Sequence, residues 1–486
     1  GNAEEHDLDV IERTAEAIAV SADCSIGFEA GKMVMHGMDA LKADYLSHVH
    51  TGRCLASFKA VPCVERCPAS VDVPGYIALV NEGRYADAVR VIRKDNPFPS
   101  VCSLVCEHPC ESHCRRAVVD DAINIRGIKR YAVDHAGIVP APAISAPTGK
   151  QVAVVGGGPA GLTAAYYLSL MGHKVTVFEK HPRLGGMLRY GIPVYRLNDE
   201  YLDKDIDVIL STGITVHTNV DIGKDISIDK LREDFDSVYI SIGANTDKKL
   251  GIEGESSRGV ISAVDLLREI GNGNKPDFSG KNIVVVGGGN VAMDVTRTSM
   301  RLGAKSVKCV YRRRINDMTA LADEIEGAIA EGCEIVPLKA PVRVAADENG
   351  HVSALVVQPQ VIGAYASGRP APYKADKPEE YIKCDVIIVA IGQAIDSKSF
   401  AESGIPTKRD MFVTEAGGAV KGVDSVFAGG ECVTGPATVI RAIEAGKVAA
   451  ANIDEYLGFH TEIICDVDIP EATHHFRSAY GRINMT

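Results

Sequence analysis

Two stretches of the chain run from a short β-branched segment through a glycine-rich turn into helical periodicity. The first, QVAVVGGGPAGLTAAYYLSLMGHKVTVFEK from Gln151, reads as strand, turn, helix, strand. The second, KNIVVVGGGNVAMDVTRTSMRLGAKSVKCVYRRR from Lys281, repeats the plan. Short unbroken apolar runs of this kind mark strands covered on both faces of a parallel sheet. EDFDSVYISIGANTD lies between the copies and CDVIIVAIGQAID follows the second, which predicts one fold inserted into the other. The last block, DSVFAGGECVTGPATVIRAIEAGKVAAANIDEYLG, reads as strand, glycine turn and helix, and periodicity fades after about Ile464. Upstream the texture is helical. LDVIERTAEAIAV and a run from Met33 to about Val49 have apolar residues at helical spacing. A Cys- and Pro-rich region over 51–135 contains short helical pieces such as PGYIALVNEGRYADAVRVIRK, and IVPAPAISAPTGK reads as a linker.

The predicted fold class is α/β, with two Rossmann-like dinucleotide-binding domains behind an α-helical domain. Residues 1–50 form a helical segment, 51–140 the helical Cys-rich domain and 141–150 the linker. Residues 151–250 and 385–460 form the first dinucleotide domain, 251–384 the inserted second one, and 461–486 a tail. The length of 486 residues fits this division at roughly 150 residues per domain. A net charge of -12 argues against nucleic acid as a partner. No segment approaches the ~20 apolar residues of a membrane span. GNAEEHDLDV has no apolar h-region, so the expected location is cytoplasmic, with no membrane partner.

Gly156, Gly158 and Gly161 form G-x-G-x-x-G between a strand and a helix. The first allows the tight turn, the second lets backbone approach a pyrophosphate, and the third lets helix and strand pack closely. Glu179 ends the next strand, where an acid accepts ribose hydroxyls. With the following LGGMLRYGIP loop, this unit fits FAD. The second unit carries Gly287, Gly289 and Ala292, and its second strand ends in Arg312, Arg313 and Arg314. Cations at that place suit the 2′-phosphate of NADPH. A solvated charge run is the plain alternative. Hydride exchange between such cofactors needs no acid or nucleophile from the protein, so no catalytic side chain is expected.

Thirteen cysteines, eight of them before residue 115, argue for metal and against a disulfide framework in a chain without export signals. Cys54, Cys63 and Cys67 precede Pro68, and Cys102, Cys106, Cys110 and Cys114 recur at every fourth residue. Iron–sulfur ligation and a Cys₄ zinc site both use such runs. A neighbouring flavin favours iron–sulfur, because zinc has no redox chemistry. Cys309, Cys333, Cys384, Cys432 and Cys465 are isolated and read as free thiols. No C-x-x-C stands near either Rossmann unit, which argues against disulfide exchange.

From about Arg53 to Gly458 the chain resembles the small (β) subunit of NADPH-dependent glutamate synthase. It is also similar to the large subunit of the bifurcating ferredoxin:NADP transhydrogenase and to the flavin half of dihydropyrimidine dehydrogenase. The matching stretches, in order, are NPFPSVCSLVCEHPCESHCRR, VAVVGGGPAGLTAAYYL, VVVGGGNVAMD, YRRRINDMTA and AGGECVTGPATVIRAIEAGKVAA. The resemblance implies FAD, NADPH on the inserted domain, and 4Fe–4S in one or two clusters on the N-terminal domain. It adds Pro159, Ala160, Lys180, Gly185, Gly186, Gly243, Gly430, Glu431 and Thr438 to the FAD set. It adds Asn290, Val291 and Asp294 to the NADPH set.

Two positions depart from the family. Ser57 stands where a second Cys is usual. Lys129 stands near the place of a Glu or Gln ligand, so one cluster is either rewired, with Cys102 as replacement, or absent. Residues 1–50 resemble the C-terminal helical domain of the complex I NADH-binding flavin subunit, in which the counterpart of Cys24 is a cluster ligand. The upstream C-x-x-C-x-x-C of that family is missing, and a plain docking arm with an unligated Cys24 is the simpler reading.

The implied function is an NADPH-linked FAD/iron–sulfur oxidoreductase subunit. It would pass electrons to an iron–sulfur or diaphorase-like subunit, ferredoxin or hydrogenase, in an electron-bifurcating complex. The alternatives are a glutamate synthase small subunit, a sulfide-dehydrogenase-like NADPH dehydrogenase, and a non-catalytic scaffold.

Overall fold

The computed structural model describes residues 4–40, 42, 45, 46, 49, 61–366 and 369–470, in two compact units that divide between Glu65 and Arg66. The first unit contains the helices Glu5–Ser21, Ser25–Ala40 and Pro62–Glu65. Glu5–Ser21 opens on a capping box between Glu4 and Asp7. Ser25–Ala40 begins well before Met33, where the apolar run starts. Local pairs carry that extra turn, since Lys32 is ion-paired with Glu29 and lies 4.1 Å from the Phe28 ring centroid. Cys54 and Ser57 lie outside the described residues.

The second unit opens with the helices Val73–Asn81, Tyr85–Asp95, Pro99–Val105, Pro109–Ser112 and Ile125–His135. Asp72 caps the first by accepting the Gly75 N–H at 3.0 Å. Asn96 turns the chain by accepting the Phe98 N–H at 2.9 Å, and Pro99 starts the next helix with its fixed φ. This helical layer is bonded to the first dinucleotide fold. Tyr167 donates to the Lys94 carbonyl at 2.9 Å, and Lys447 donates to the Ala69 carbonyl at 3.1 Å. The segment read as a linker also runs along that fold, with Ser145 N–H on Leu170 O and Thr148 N–H on Gly172 O.

Each dinucleotide fold has a parallel five-stranded sheet. The first is ordered Val426–Ala428, Ser237–Ile240, Gln151–Val155, Lys174–Glu179, Thr215–Thr218. The second repeats it as Val260–Ser262, Val386–Val389, Asn282–Val286, Ser306–Val310, Glu334–Val336. In both, the fingerprint strand is central and the helix behind its glycines is packed on the sheet, so turn and helix start open at the carboxyl edge.

One boundary differs from the expectation. Val386–Val389 pairs with Ile283–Val286, so this strand belongs to the second sheet and not beyond a break at 384/385. Its all-apolar sequence fits either parallel sheet, and only the pairing decides between them. The chain crosses between the folds at Thr246–Asp247 and Gln393–Ala394, which pair antiparallel. An antiparallel sheet of Lys339–Ala346, Val352–Ala366, Arg369–Lys374 and Glu380–Lys383 also sits in the inserted fold, without a counterpart in the sequence reading. No helix among the described residues is long and apolar enough to cross a membrane.

Candidate functional site

The first fingerprint is a tight turn closed by contacts that only glycine tolerates. Gly156 has φ +105, and a Cβ there would stand 2.6 Å from Ser241 O. A Cβ on Gly161 would stand 2.0 Å from Gly156 O. Around Gly158 there is room, for its Cβ would meet nothing nearer than Gly186 Cα at 3.8 Å. This is the cradle a pyrophosphate requires, at the N-terminus of the buried helix Pro159–Leu170.

Glu179 is buried at the end of its strand. Its two carboxylate oxygens accept the N–H groups of Gly157 at 2.7 Å and His181 at 2.8 Å. Burial raises its pKa and these N–H groups oppose the rise. Each oxygen keeps a lone pair for a ribose hydroxyl. Gly185 donates to Gly157 O at 2.8 Å, which seats the LGGMLRYGIP loop over the turn.

A cavity of about 520 Å³ joins these groups. Its lining includes Gly156, Gly158, Pro159, Ala160, Glu179, Lys180, Gly186, Gly243, Glu431 and Thr438 of the expected FAD set. Gly161, Gly185 and Gly430 are not among its lining residues. Asn290, Val291 and Asp294 of the second fingerprint line the same cavity, and so do Val105 and Glu107 of the cysteine segment. Thr438 donates to Glu107 at 3.0 Å, tying the start of helix Val439–Tyr456 to the residue after Cys106. Glu431 accepts the Ala437 N–H at 3.1 Å, and burial raises its pKa.

The second fingerprint repeats the turn. Gly287 has φ +156, and a Cβ there would stand 2.2 Å from Ala390 O. Gly289 opens on space, with Thr319 Oγ1 at 3.4 Å from its would-be Cβ. Ala292 is fully buried where the first copy has its third glycine. Asn290 accepts the Leu321 N–H at 2.9 Å. The three arginines differ in commitment. Arg313 donates to Pro370 O at 2.8 Å, and Arg314 is bound to Asp317 at 2.8 and 3.0 Å. Arg312 is exposed and has no such tie among the described residues.

Asp294 is occupied differently. Both its oxygens take Arg196 Nη1, at 2.8 and 3.0 Å, across the two folds. Burial pushes its carboxyl up to about 6 while Arg196 pulls it down. Arg196 also pairs with Glu324 at 2.9 Å, and Arg297 pairs with Glu324 at 2.6 Å, so a charge network spans the domain junction.

In the cysteine segment, Cys102 and Cys106 stand one turn apart on Pro99–Val105 and its C-cap. Their thiols interact. The Cys102 hydrogen bond raises Cys102 and holds Cys106 down at about 6. Burial pushes Cys110 up to about 12, and it feels the charges of Cys106 and Cys67. Lys129 is buried on the helix Ile125–His135, which packs on Pro99–Val105. Among the described residues no three Cys, His, Asp or Glu are placed around one metal ion. A Cys₄ zinc site needs sulfurs about 3.8 Å apart around one ion at about 2.3 Å. A cubane takes each thiolate on a different iron and suits a wider set. Cys114 is half-buried at the N-cap of the 3₁₀ turn Arg115–Val118, and Cys63 is half-buried in the first unit. Cys309, Cys333, Cys384 and Cys432 are buried core thiols.

Residues 150–446 match the model of the pyridine nucleotide-disulphide oxidoreductases. The chain belongs to that family. Residues 37–138 match dihydropyrimidine dehydrogenase domain II, 4Fe-4S cluster. The chain is 37% identical over 455 residues to the NADP(+)-dependent formate dehydrogenase subunit beta of Moorella thermoacetica, covering 88% of this chain and 64% of that one. It is 37% identical over 495 residues to the NADPH-Fe(3+) oxidoreductase subunit beta of Geobacter sulfurreducens, covering 94% and 73%. It is 32% identical over 426 residues to the glutamate synthase (NADPH) small chain of Escherichia coli, covering 83% and 90%. FprA from Mycobacterium tuberculosis has the same fold, with TM-score 0.57 at 20% identity over 64% of this chain and 85% of that one.

As a pyridine nucleotide-disulphide oxidoreductase family member with this N-terminal module, the chain is an NAD(P)H-dependent flavin oxidoreductase. Its cofactors are FAD, NADP(H) and 4Fe–4S. The family fold explains residues that the motifs alone did not show. Val105, Glu107 and Arg196 reach the cavity only through tertiary packing. Glu107 had a signal in its place directly after Cys106. Arg196 had none, since its partner Asp294 lies 98 residues away.

Proposed function

We propose that this chain is the NADPH-handling subunit of a larger redox assembly, exchanging electrons between NADP(H) and an iron–sulfur or diaphorase-like partner. The observation that carries this reading is the single cavity bordered by both fingerprints and by the cysteine segment. Bound there, FAD would supply hydride exchange with NADP(H) and single-electron exchange with 4Fe–4S. The residues that would hold FAD are those at the Gly158 cradle, Glu179 and the Glu431–Thr438 turn. Gly289 and Arg312 would hold the nucleotide phosphates. Cys67, Cys102, Cys106 and Cys110 would ligate one cluster. Arg196 and Asp294 position the two folds, and the Thr438–Glu107 bond fixes the cysteine segment against the flavin site.

Two relatives at 37% identity are beta subunits by name, which supports a multi-subunit setting. Electron bifurcation with ferredoxin or hydrogenase subunits, and a cytoplasmic location, belong to the same proposal. The first is supported by the resemblance to the transhydrogenase large subunit. A glutamate synthase small-subunit role is the second reading, supported by the 90% span of that relative. Anaerobic titration of the purified protein tests the core claim. NADPH should bleach the flavin, and the subunits that co-purify decide between the assemblies. Flavin absorbance indifferent to both pyridine nucleotides would leave only the scaffold reading.

A further inference from the structure

The two glycine turns are built alike, but the residue packed against each differs. In the first fold Val155 pairs with Phe178 and the Gly156 N–H donates to Phe178 O at 2.8 Å, so Glu179 is the first residue past that bond. In the second, Val286 pairs with Val310 and the Gly287 N–H donates to Val310 O at 3.1 Å, so the matching residue is Tyr311. The three arginines begin one position later. Glu179 accepts the Gly157 N–H at 2.7 Å, at the place where an acid can take ribose hydroxyls. Tyr311 is buried and lays its ring against the corresponding glycine. A Cβ on Gly288 would stand 2.4 Å from Tyr311 Cε2 and 2.5 Å from Cδ2. A neutral ring at that place carries no charge to repel a 2′-phosphate.

The same side chain holds the loop that follows it. The Tyr311 hydroxyl donates to the Asp317 carbonyl at 2.9 Å, at the end of the 3₁₀ turn Ile315–Asp317. The Asp317 carboxylate accepts from Arg314, and the N–H groups of Thr319 and Ala320 return to Gly288 O at 2.9 and 3.1 Å. Residues 312–320 therefore close back on the glycine turn, with Arg312 exposed at their start. We propose that Tyr311 is a specificity-determining positioning residue that favours NADP(H) over NAD(H). Its ring keeps a carboxylate out of the ribose position, and its hydroxyl fixes the loop that begins with Arg312. This rests on the placement of the nucleotide phosphates at Gly289 and Arg312 proposed above.

The test is calorimetric binding of NADP+ and of NAD+ to the oxidised full chain, with flavin content measured alongside. Tyr311→Phe keeps the ring and removes one neutral hydrogen bond, so it should weaken NADP+ by about 2- to 10-fold and leave NAD+ unchanged. Tyr311→Glu restores the acid and should bind NAD+ more tightly than NADP+. Tyr311→Phe combined with Arg312→Ala should lose no more NADP+ affinity than Arg312→Ala alone, because the hydroxyl acts through the loop that carries the arginine. A native ratio of the two affinities in Tyr311→Phe would overturn the proposal. Equal weakening of both nucleotides in that variant would also overturn it, by reducing Tyr311 to a structural support. If Tyr311→Glu loses flavin or fails to fold, Tyr311→Phe and the double variant decide on their own. Arg312→Ala separates the underlying reading. Native NADP+ affinity in that variant removes the phosphate site itself, whereas a loss there beside a native Tyr311→Phe rejects Tyr311 alone.

Discussion

Asp205 of the first dinucleotide fold accepts the backbone N–H of Val101 at 3.0 Å, so a carboxylate from the flavin side caps the helix that carries Cys102. The bond links residues 104 positions apart and fixes the cysteine helix relative to the cavity. Asp205 is fully buried, and burial pushes its carboxyl up to about 7 against the pull of the Val101 N–H and the Arg93 charge.

A pH dependence of stability follows, with a definite sign. In the unfolded chain this carboxyl titrates near 3.8, and in the folded chain near 7. Between about pH 4 and 7 the native state therefore holds a proton that the unfolded state has lost, and stability falls as pH rises through that window. Asp294, raised to about 6, acts in the same direction. Urea unfolding across this range should show the decline, and Asp205→Asn should flatten it. An unaltered slope in Asp205→Asn would place the titrating proton elsewhere.

Nucleotide choice should rest on Arg312 more than on its neighbours. Arg313 is bound to Pro370 O and Arg314 to Asp317, whereas Arg312 stands exposed just past the strand end at Val310. A charge-assisted hydrogen bond is worth about 1.5–3 kcal/mol, roughly 10- to 150-fold in binding. Arg312→Ala should raise KM for NADPH by a factor in that range and change KM for NADH little. Steady-state flavin reduction with both nucleotides checks it, and equal effects on the two would remove the 2′-phosphate contact.

Both turns were legible in the sequence because Gly156, Gly161 and Gly287 are demanded locally, by close backbone approaches that admit no Cβ. Glu179 was legible for the same reason, since a strand end at a fixed distance places it. What was not legible depends on packing between segments distant in the chain. The strand Val386–Val389 is equally apolar on either sheet, so its sequence did not say which it joins. Asp294 sits in the fingerprint helix, but its pairing with Arg196 is a tertiary event. The packing of the helix Ile125–His135, which carries Lys129, on Pro99–Val105 is likewise a tertiary event.

Metal analysis should find iron and acid-labile sulfide, about four of each per cluster, without stoichiometric zinc. Cys106→Ser should lower the iron and sulfide content, because it removes a thiolate of the proposed ligand set. Cys384→Ala, a buried core thiol pushed up to about 12, should leave iron unchanged. Zinc without labile sulfide would overturn the iron–sulfur ligand set.

The helices of the first unit should serve docking and not electron transfer within the chain. Glu5–Ser21 carries five acids against a single arginine, and Val20, Ile26 and Met33 are 82%, 80% and 74% exposed. Exposed apolar side chains beside an acidic helix suit a partner subunit that offers apolar and basic groups. Among the described residues, those that line the cofactor cavity belong to the second unit. Deleting residues 1–48 should therefore leave NADPH reduction of the flavin intact while the partner redox subunit no longer co-purifies. The measurement pairs anaerobic flavin bleaching with pull-down of the assembly from the native source. If the truncated chain still brings down the whole assembly, the docking role is wrong. If the truncation strips flavin or iron from the chain, these helices support the cofactor domains themselves, and the exposed apolar residues lose their interpretation as a partner surface.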